Sequence, residues 1–446
     1  MVAAAMHLRA PRRTHAMRRK VAAAALVLAS IAMLGAAPAP APAPEPEPAT
    51  VPDLRALEYW LDDYGIREAW QTTRGEGTRI AVIDTGVARG PVEFSGVVDG
   101  ADFSGLGAAD GRTPVGAVDA AHGSYVASLA AGRGTGADTG IIGVAPGAEL
   151  LSVSLGFGAA AATPFADQVA SAIRWAVDHG ADVINLSFTT NTLDWPESWD
   201  DAFLYAFERD VVVIVAAGNR GSGTDRVGAP ATIPGVLTVG GVDRSGAASV
   251  DASTQGITIA VSAPSEDLLG VSPDGSPVMW DGTSGAAPIV AGIAALVRAA
   301  HPDLDAANVI NRIISTARPA PGTTRERDAL YGYGLVNAAA AVTAPVAAVT
   351  ENPMGSLSEW IRLYRRADAT PTPEPSAQPV EVPPLPAPEA VTRTQSPLLP
   401  TENTLLYGSL PLTAATAAGI LVALGVTAAT RRIRSARTPR QPTRPI

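Results

Sequence analysis

The chain is predicted to be an α/β protein, with a mostly parallel sheet covered by helices on both faces. Three observations predict it. Short β-branched runs, such as Arg79 to Ile83 and Val211 to Ala216, alternate with helical stretches such as Asp167 to Asp178, the rhythm of a parallel sheet. The first run ends in Asp84-Thr85-Gly86, an acid at the carboxyl end of a strand, where function gathers in open α/β sheets. A long apolar helical run, Ile289 to Ala299, is entered through Gly282-Thr283-Ser284-Gly285.

Taken in order, the elements begin with Arg18-Arg19-Lys20, followed by the apolar Val21 to Leu34 and small residues from Gly35 to Ala39. This pattern predicts a secretory signal peptide over 1–37. Residues 38–52 are a Pro/Ala/Glu linker, too short and too polyproline-like to fold as an inhibitory domain. A catalytic domain is expected over 53–348. Its first buried strand is Arg79 to Asp84. A helix of small and apolar residues runs from His122 and is closed by Gly132. Glu149 to Leu155 follows the Gly143-Val144-Ala145-Pro146-Gly147-Ala148 loop as a second strand. Ala181 to Ser187 and Val211 to Ala216 are further strands, with a helix over Ala202 to Glu208 between them.

Three segments carry candidate chemistry. Ser284 at a helix mouth is placed to act as a nucleophile facing an oxyanion, because helix N-termini present unpaired N–H groups. The same stretch also reads as a simple capped helix. Asp84 is either an acid presented by a strand end or a turn-capping residue. His122 follows by elimination among five histidines. His7 and His15 lie in the targeting region, His301 precedes Pro302 at the surface, and His179 suits a helix C-terminus. His122 is left as the general base.

The order Asp84, His122, Ser284 is that of subtilisin, and the three local contexts together resemble the subtilisin-like serine peptidases over about Asp53 to Ala348. The resemblance implies a three-layer α/β/α fold and a triad mechanism acting on protein or peptide substrates. It implies that Asn219, in Ile214-Val215-Ala216-Ala217-Gly218-Asn219, is an oxyanion donor together with the Ser284 N–H. Tyr331 to Ala338 resembles the family's closing segment. This chemistry needs no cofactor; many subtilases bind structural calcium, but the acids here show no diagnostic spacing. Ser187, Phe188 and Thr189 fall where the family binds substrate. Many members have Ser-Leu-Gly-Gly there, and this chain has Ser187-Phe188-Thr189-Thr190. Threonines at that wall are expected to narrow the pocket and make the enzyme selective.

Charge and hydropathy place the molecule. Of 33 basic residues, six precede the first apolar stretch and six follow the last, so the part between carries 21 basic and 43 acidic residues, a net of −22. Such a surface argues against nucleic acid and suits a soluble exported domain. Residues 349–409 are read as a Pro-rich stalk. Its Pro-rich part, roughly thirty residues, could reach ~90 Å at ~3.1 Å each. Residues 410–430 have the length of a transmembrane helix. The 431–446 tail holds six arginines and no acid, hence is read as cytoplasmic. The expected arrangement is a single-pass type I membrane protein with its catalytic domain outside. There is no cysteine. This organisation resembles the mycosins, membrane-anchored subtilases of actinobacterial type VII secretion systems, although those usually carry disulfides. The resemblance implies processing of exported proteins and secretion-system membrane proteins as partners. A structural cap of a secretion complex and a broad nutrient protease remain alternatives.

Overall fold

The computed structural model describes residues 53–117, 119–158, 161–324, 326–365 and 405–436. The expected signal peptide and the 38–52 linker lie outside the described residues. The chain divides into two units, one containing 53–365 and the other 405–436.

In the first unit seven strands form one parallel sheet: β1 Arg79–Asp84, β2 Val97–Asp102, β3 Glu149–Ser154, β4 Val183–Leu186, β5 Val212–Ala216, β6 Leu237–Val242 and β7 Ile259–Pro264. Their order is β2-β3-β1-β4-β5-β6-β7. In the central strands β1, β4 and β5, alternate residues enter opposite cores, as the two-residue period requires. Ala81, Ile83, Ile184, Leu186, Val213 and Val215 pack with the helices Phe165–Asp178 (α5) and Glu197–Glu208 (α6). Ile80, Val82, Val183, Val212 and Ile214 pack with His122–Ala131 (α4) and Thr283–Ala300 (α7). The three-layer α/β/α architecture follows. Ile83 of β1 is in register with Leu186 of β4, which in turn pairs with Val215 of β5. Parallel pairing therefore delivers Asp84, Ser187 and the Ala217-Gly218-Asn219 turn to the same end of the sheet.

The strands read from the sequence are present: Arg79–Asp84 with the expected bounds, the other three shorter by one to three residues. Helices α5 and α6 start earlier than expected, each directly after a proline, Pro164 and Pro196, consistent with the preset φ of that residue. Elements the sequence reading passed over include three short helices, Leu54–Leu57 (α1), Trp60–Asp63 (α2) and Ile66–Ala69 (α3). They bury Trp60, Leu61 and Ile66 completely. The Tyr59 hydroxyl donates to the Glu266 carbonyl at 2.8 Å and Trp70 Nε1 to the Val144 carbonyl at 2.8 Å, tying this segment across the body. Also unforeseen were β2, β6, β7, the antiparallel hairpin β8 Leu268–Val271 and β9 Pro277–Trp280, and the helix Ala306–Ser315 (α8); the last helix, which the resemblance places after the closing segment, is Ala338–Thr343 (α9).

The first part of the segment read as a stalk over 349–409 is folded, and 366–404 lie outside the described residues. Residues 349–365 are folded, with a helix over Leu357–Tyr364 (α10). Leu357 is buried, Trp360 stacks on Trp195 with ring centroids 4.4 Å apart, and Arg365 pairs with Asp200. The signal was in the sequence: Ser356 and Glu359 have N-cap and N3 spacing, ahead of an apolar period of Leu357, Trp360, Ile361 and Tyr364. Ser356 Oγ does accept the Glu359 N–H, at 3.2 Å. His301, expected at the surface, is half-buried with its Nε2 2.6 Å from the Val342 carbonyl.

In the second unit a helix runs Leu410–Ala436 (α11) after one π turn, Leu405–Ser409. Residues 405–432 are long and apolar enough to cross a membrane. Helix α7 meets the same length and composition, but it is the buried central helix of the body.

Candidate active site

Asp84 ends β1 and is wholly buried. Its Oδ1 accepts the Thr85 N–H at 2.7 Å. Both carboxylate oxygens reach His122 Nδ1, at 2.8 and 3.0 Å. This contact is possible because α4 comes very close to the turn after β1. A Cβ on Gly123 would stand 2.6 Å from the Gly86 carbonyl oxygen, so only glycine fits. Thr85 fastens the approach: its hydroxyl donates to the Ala120 carbonyl and accepts the Gly123 N–H, both at 2.8 Å. With Nδ1 engaged by the carboxylate, the ring presents Nε2 as its basic nitrogen. Burial pulls the His122 pKa down, but the adjacent Asp84 carboxylate outweighs it, and the net value lies above the ordinary 6.5. The Trp280 ring meets the imidazole edge-to-face, centroids 5.7 Å apart.

Ser284 is the second residue of α7 and lines one cleft with His122, Phe188, Thr189, Gly218, Asn219 and Trp280. Its N–H falls in the first helical turn, where N–H groups lack partners within the helix. Its hydroxyl donates to the Ser187 carbonyl at 2.9 Å; among the described residues no hydrogen bond joins it to His122. The structure thus brings Asp84 and His122 into contact and places Ser284 beside them, with its hydroxyl held elsewhere.

Asn219 follows β5 through Gly218, whose φ is 101°. Its Oδ1 accepts both the N–H and the hydroxyl of Thr283, each at 2.8 Å. The Thr283 hydroxyl itself accepts the Gly218 N–H at 3.0 Å. Two donors on one oxygen leave the amide a single sensible orientation, so Nδ2 is the free donor. A Cβ on Gly282, whose φ is 143°, would stand 2.9 Å from it, which explains the glycine before Thr283. Thr85 and Thr283 escaped sequence reasoning because their partners are distant in the chain.

Phe188 and Thr189 line the cleft; Ser187 does not. Its side chain is buried and bonded to protein groups on both sides, so only its backbone carbonyl, which accepts the Ser284 hydroxyl, faces the site. Thr189 and Thr224 both press their methyls on Gly218: a Cβ there would lie 2.8 and 2.6 Å from them. Phe188 meets Phe157 and Phe165 edge-to-face, centroids 5.4 and 5.5 Å away. The pocket wall is therefore crowded where glycines would leave it open. Asp119 and Asp281 are the charged residues lining the cleft. Among the described residues no group of three or more His, Asp or Glu side chains is placed to hold a metal ion.

The sequence matches the Subtilase family over residues 75–334. Mycosin-4 of Mycobacterium tuberculosis (strain ATCC 25618 / H37Rv) is 34% identical over 321 residues, covering 62% of this chain and 67% of the relative. Mycosin-3 of the same organism is 33% identical over 433 residues, covering 84% and 83%. The crystal structure of MycP1 from the ESX-1 type VII secretion system superposes with a TM-score of 0.56 at 30% identity, over 67% of this chain and 88% of that one.

Proposed function

The chain belongs to the subtilase family of serine proteases, and from that premise we propose that it is a membrane-anchored endopeptidase of exported proteins, with Asp84, His122 and Ser284 as its triad. The observation that carries the reading is the Asp84 carboxylate on His122 Nδ1 beside a helix-mouth serine in one cleft. The Ser284 hydroxyl swings from the Ser187 carbonyl toward His122 Nε2, gives up its proton there and attacks the peptide carbonyl. His122 returns the proton to the leaving amine, while Asp84 holds the ring and stabilises its charged form. Asn219 Nδ2 and the Ser284 N–H receive the oxyanion.

The cellular role rests on organisation. The 1–37 signal peptide exports the body, residues 405–432 anchor it, and the arginine-rich tail stays inside. The likeness to mycosins, together with the type VII origin of the MycP1 structure, supports secretion-system membrane proteins as partners. The crowded wall of Phe188, Thr189 and Thr224 supports selective cleavage. The test compares the new N-termini of exported proteins in cells carrying the wild-type chain or Ser284→Ala. A short set that vanishes in the variant is expected. Identical sets, or efficient digestion of casein by the purified full chain, would contradict processing and selectivity respectively.

A further inference from the structure

Asn185 is a polar residue in the middle of β4, fully buried. It shares the face of Val183, under the layer that contains α7. An amide there is costly unless bonded, and the proposed chemistry gives it no role. Its Nδ2 donates to Ser187 Oγ at 2.9 Å. That bond occupies a lone pair of the Ser187 hydroxyl and directs its proton onward, to the Ser284 carbonyl at 2.8 Å.

The Ser284 carbonyl needs that donor. In a regular helix it would accept the N–H four residues on, but that residue is Pro288, inside α7. Proline has no N–H, and its ring crowds the carbonyl four residues before it. Ser187 supplies the missing bond, and its own carbonyl accepts the Ser284 hydroxyl. One residue, 97 positions earlier in the chain, therefore grips both the backbone and the hydroxyl of the candidate nucleophile.

We propose that Ser187, oriented by Asn185, is a positioning residue for Ser284: its side chain replaces the helix bond that Pro288 removes, and its carbonyl parks the hydroxyl until His122 takes the proton. Its side chain is bonded to Asn185 and to the Ser284 carbonyl and acts through the Ser284 backbone. The inference rests on the serine-protease reading.

The experiment measures inactivation of the full-length chain in detergent by a fluorophosphonate probe over a range of probe concentrations. Ser187→Ala is expected to lower the limiting rate roughly three- to tenfold, the worth of one neutral hydrogen bond, with the half-saturating concentration unchanged. Ser187→Thr, which keeps the hydroxyl, restores the rate. Asn185→Ala combined with Ser187→Ala is no slower than Ser187→Ala alone, because both act through one bond. The pH midpoint stays that of the wild type, since neither side chain titrates. Should Ser187→Ala fail to fold, Ser187→Cys carries the test, its weak S–H donor giving an intermediate rate. A wild-type rate in Ser187→Ala, a change confined to the half-saturating concentration, or multiplying effects in the double variant would overturn the proposal. A wild-type chain that takes no probe at Ser284 overturns the protease reading itself.

Discussion

His122 carries the most exposed consequence at the residue scale. As a general base it must be neutral, and the Asp84 carboxylate favours its charged form against the opposing pull of burial. Activity should therefore rise with pH through a midpoint above the ordinary histidine value near 6.5. A kcat/KM profile measured on a peptide ester checks this; a midpoint below that value, or no dependence from pH 5 to about 8, contradicts it. Asn219 is the second case. Thr283 turns its amide so that Nδ2 is free. Asn219→Ala should then lower kcat by about 10²–10³ with little change in KM, a range that itself comes from subtilisin. A change confined to KM would remove Asn219 from the oxyanion site. His122 was legible by elimination among five histidines, and glycines mark the neighbours of the other residues: backbone, threonine methyls or an amide come too close for a Cβ at Gly86, Gly123, Gly218 and Gly282. Thr85 and Thr283 carry no such local mark, since what they do depends on partners dozens of positions away.

Among the elements, the N-terminal helices hold a prediction of their own. Glu58, at the end of α1, accepts the Ile142 N–H at 2.9 Å, and its Oε2 stands 3.8 Å from Arg55 Nε. Burial pushes its carboxyl up from 4.5 to about 8, against the pull of that N–H and of Arg55. A carboxyl raised on folding is protonated in the native chain and ionised in the unfolded one between those two values. It therefore supports stability at low pH and costs stability as pH rises from about 4.5 toward 8. Glu58→Gln keeps an acceptor and removes the charge. Its melting temperature should exceed the wild type's at pH 8 and converge with it near pH 4, as read by circular dichroism; the opposite order would contradict the account. The same elements show what sequence reading resolves. Strands rich in Val and Ile, such as β4 and β5, stood out. β2, with Asp99, Gly100 and Asp102, and β6, with Gly240 and Gly241, did not, because their β character comes from pairing rather than from composition. Helices α1 to α3, at four residues each, are too short for periodicity to register and exist by packing Trp60 and Ile66.

For the whole molecule, architecture converts scattered segments into one site. Parallel pairing of β1, β4 and β5 brings their carboxyl ends together, and α4 and α7 arrive from the same layer with His122 and Ser284 in their first turns. The central claim is that this assembly activates Ser284. The most direct test treats the full-length chain with a fluorophosphonate probe and maps the adduct by mass spectrometry, alongside Ser284→Ala and His122→Ala. The account predicts a single adduct on Ser284, absent from the first variant and strongly slowed in the second. A folded chain that takes no probe, or takes it equally without His122, would contradict it.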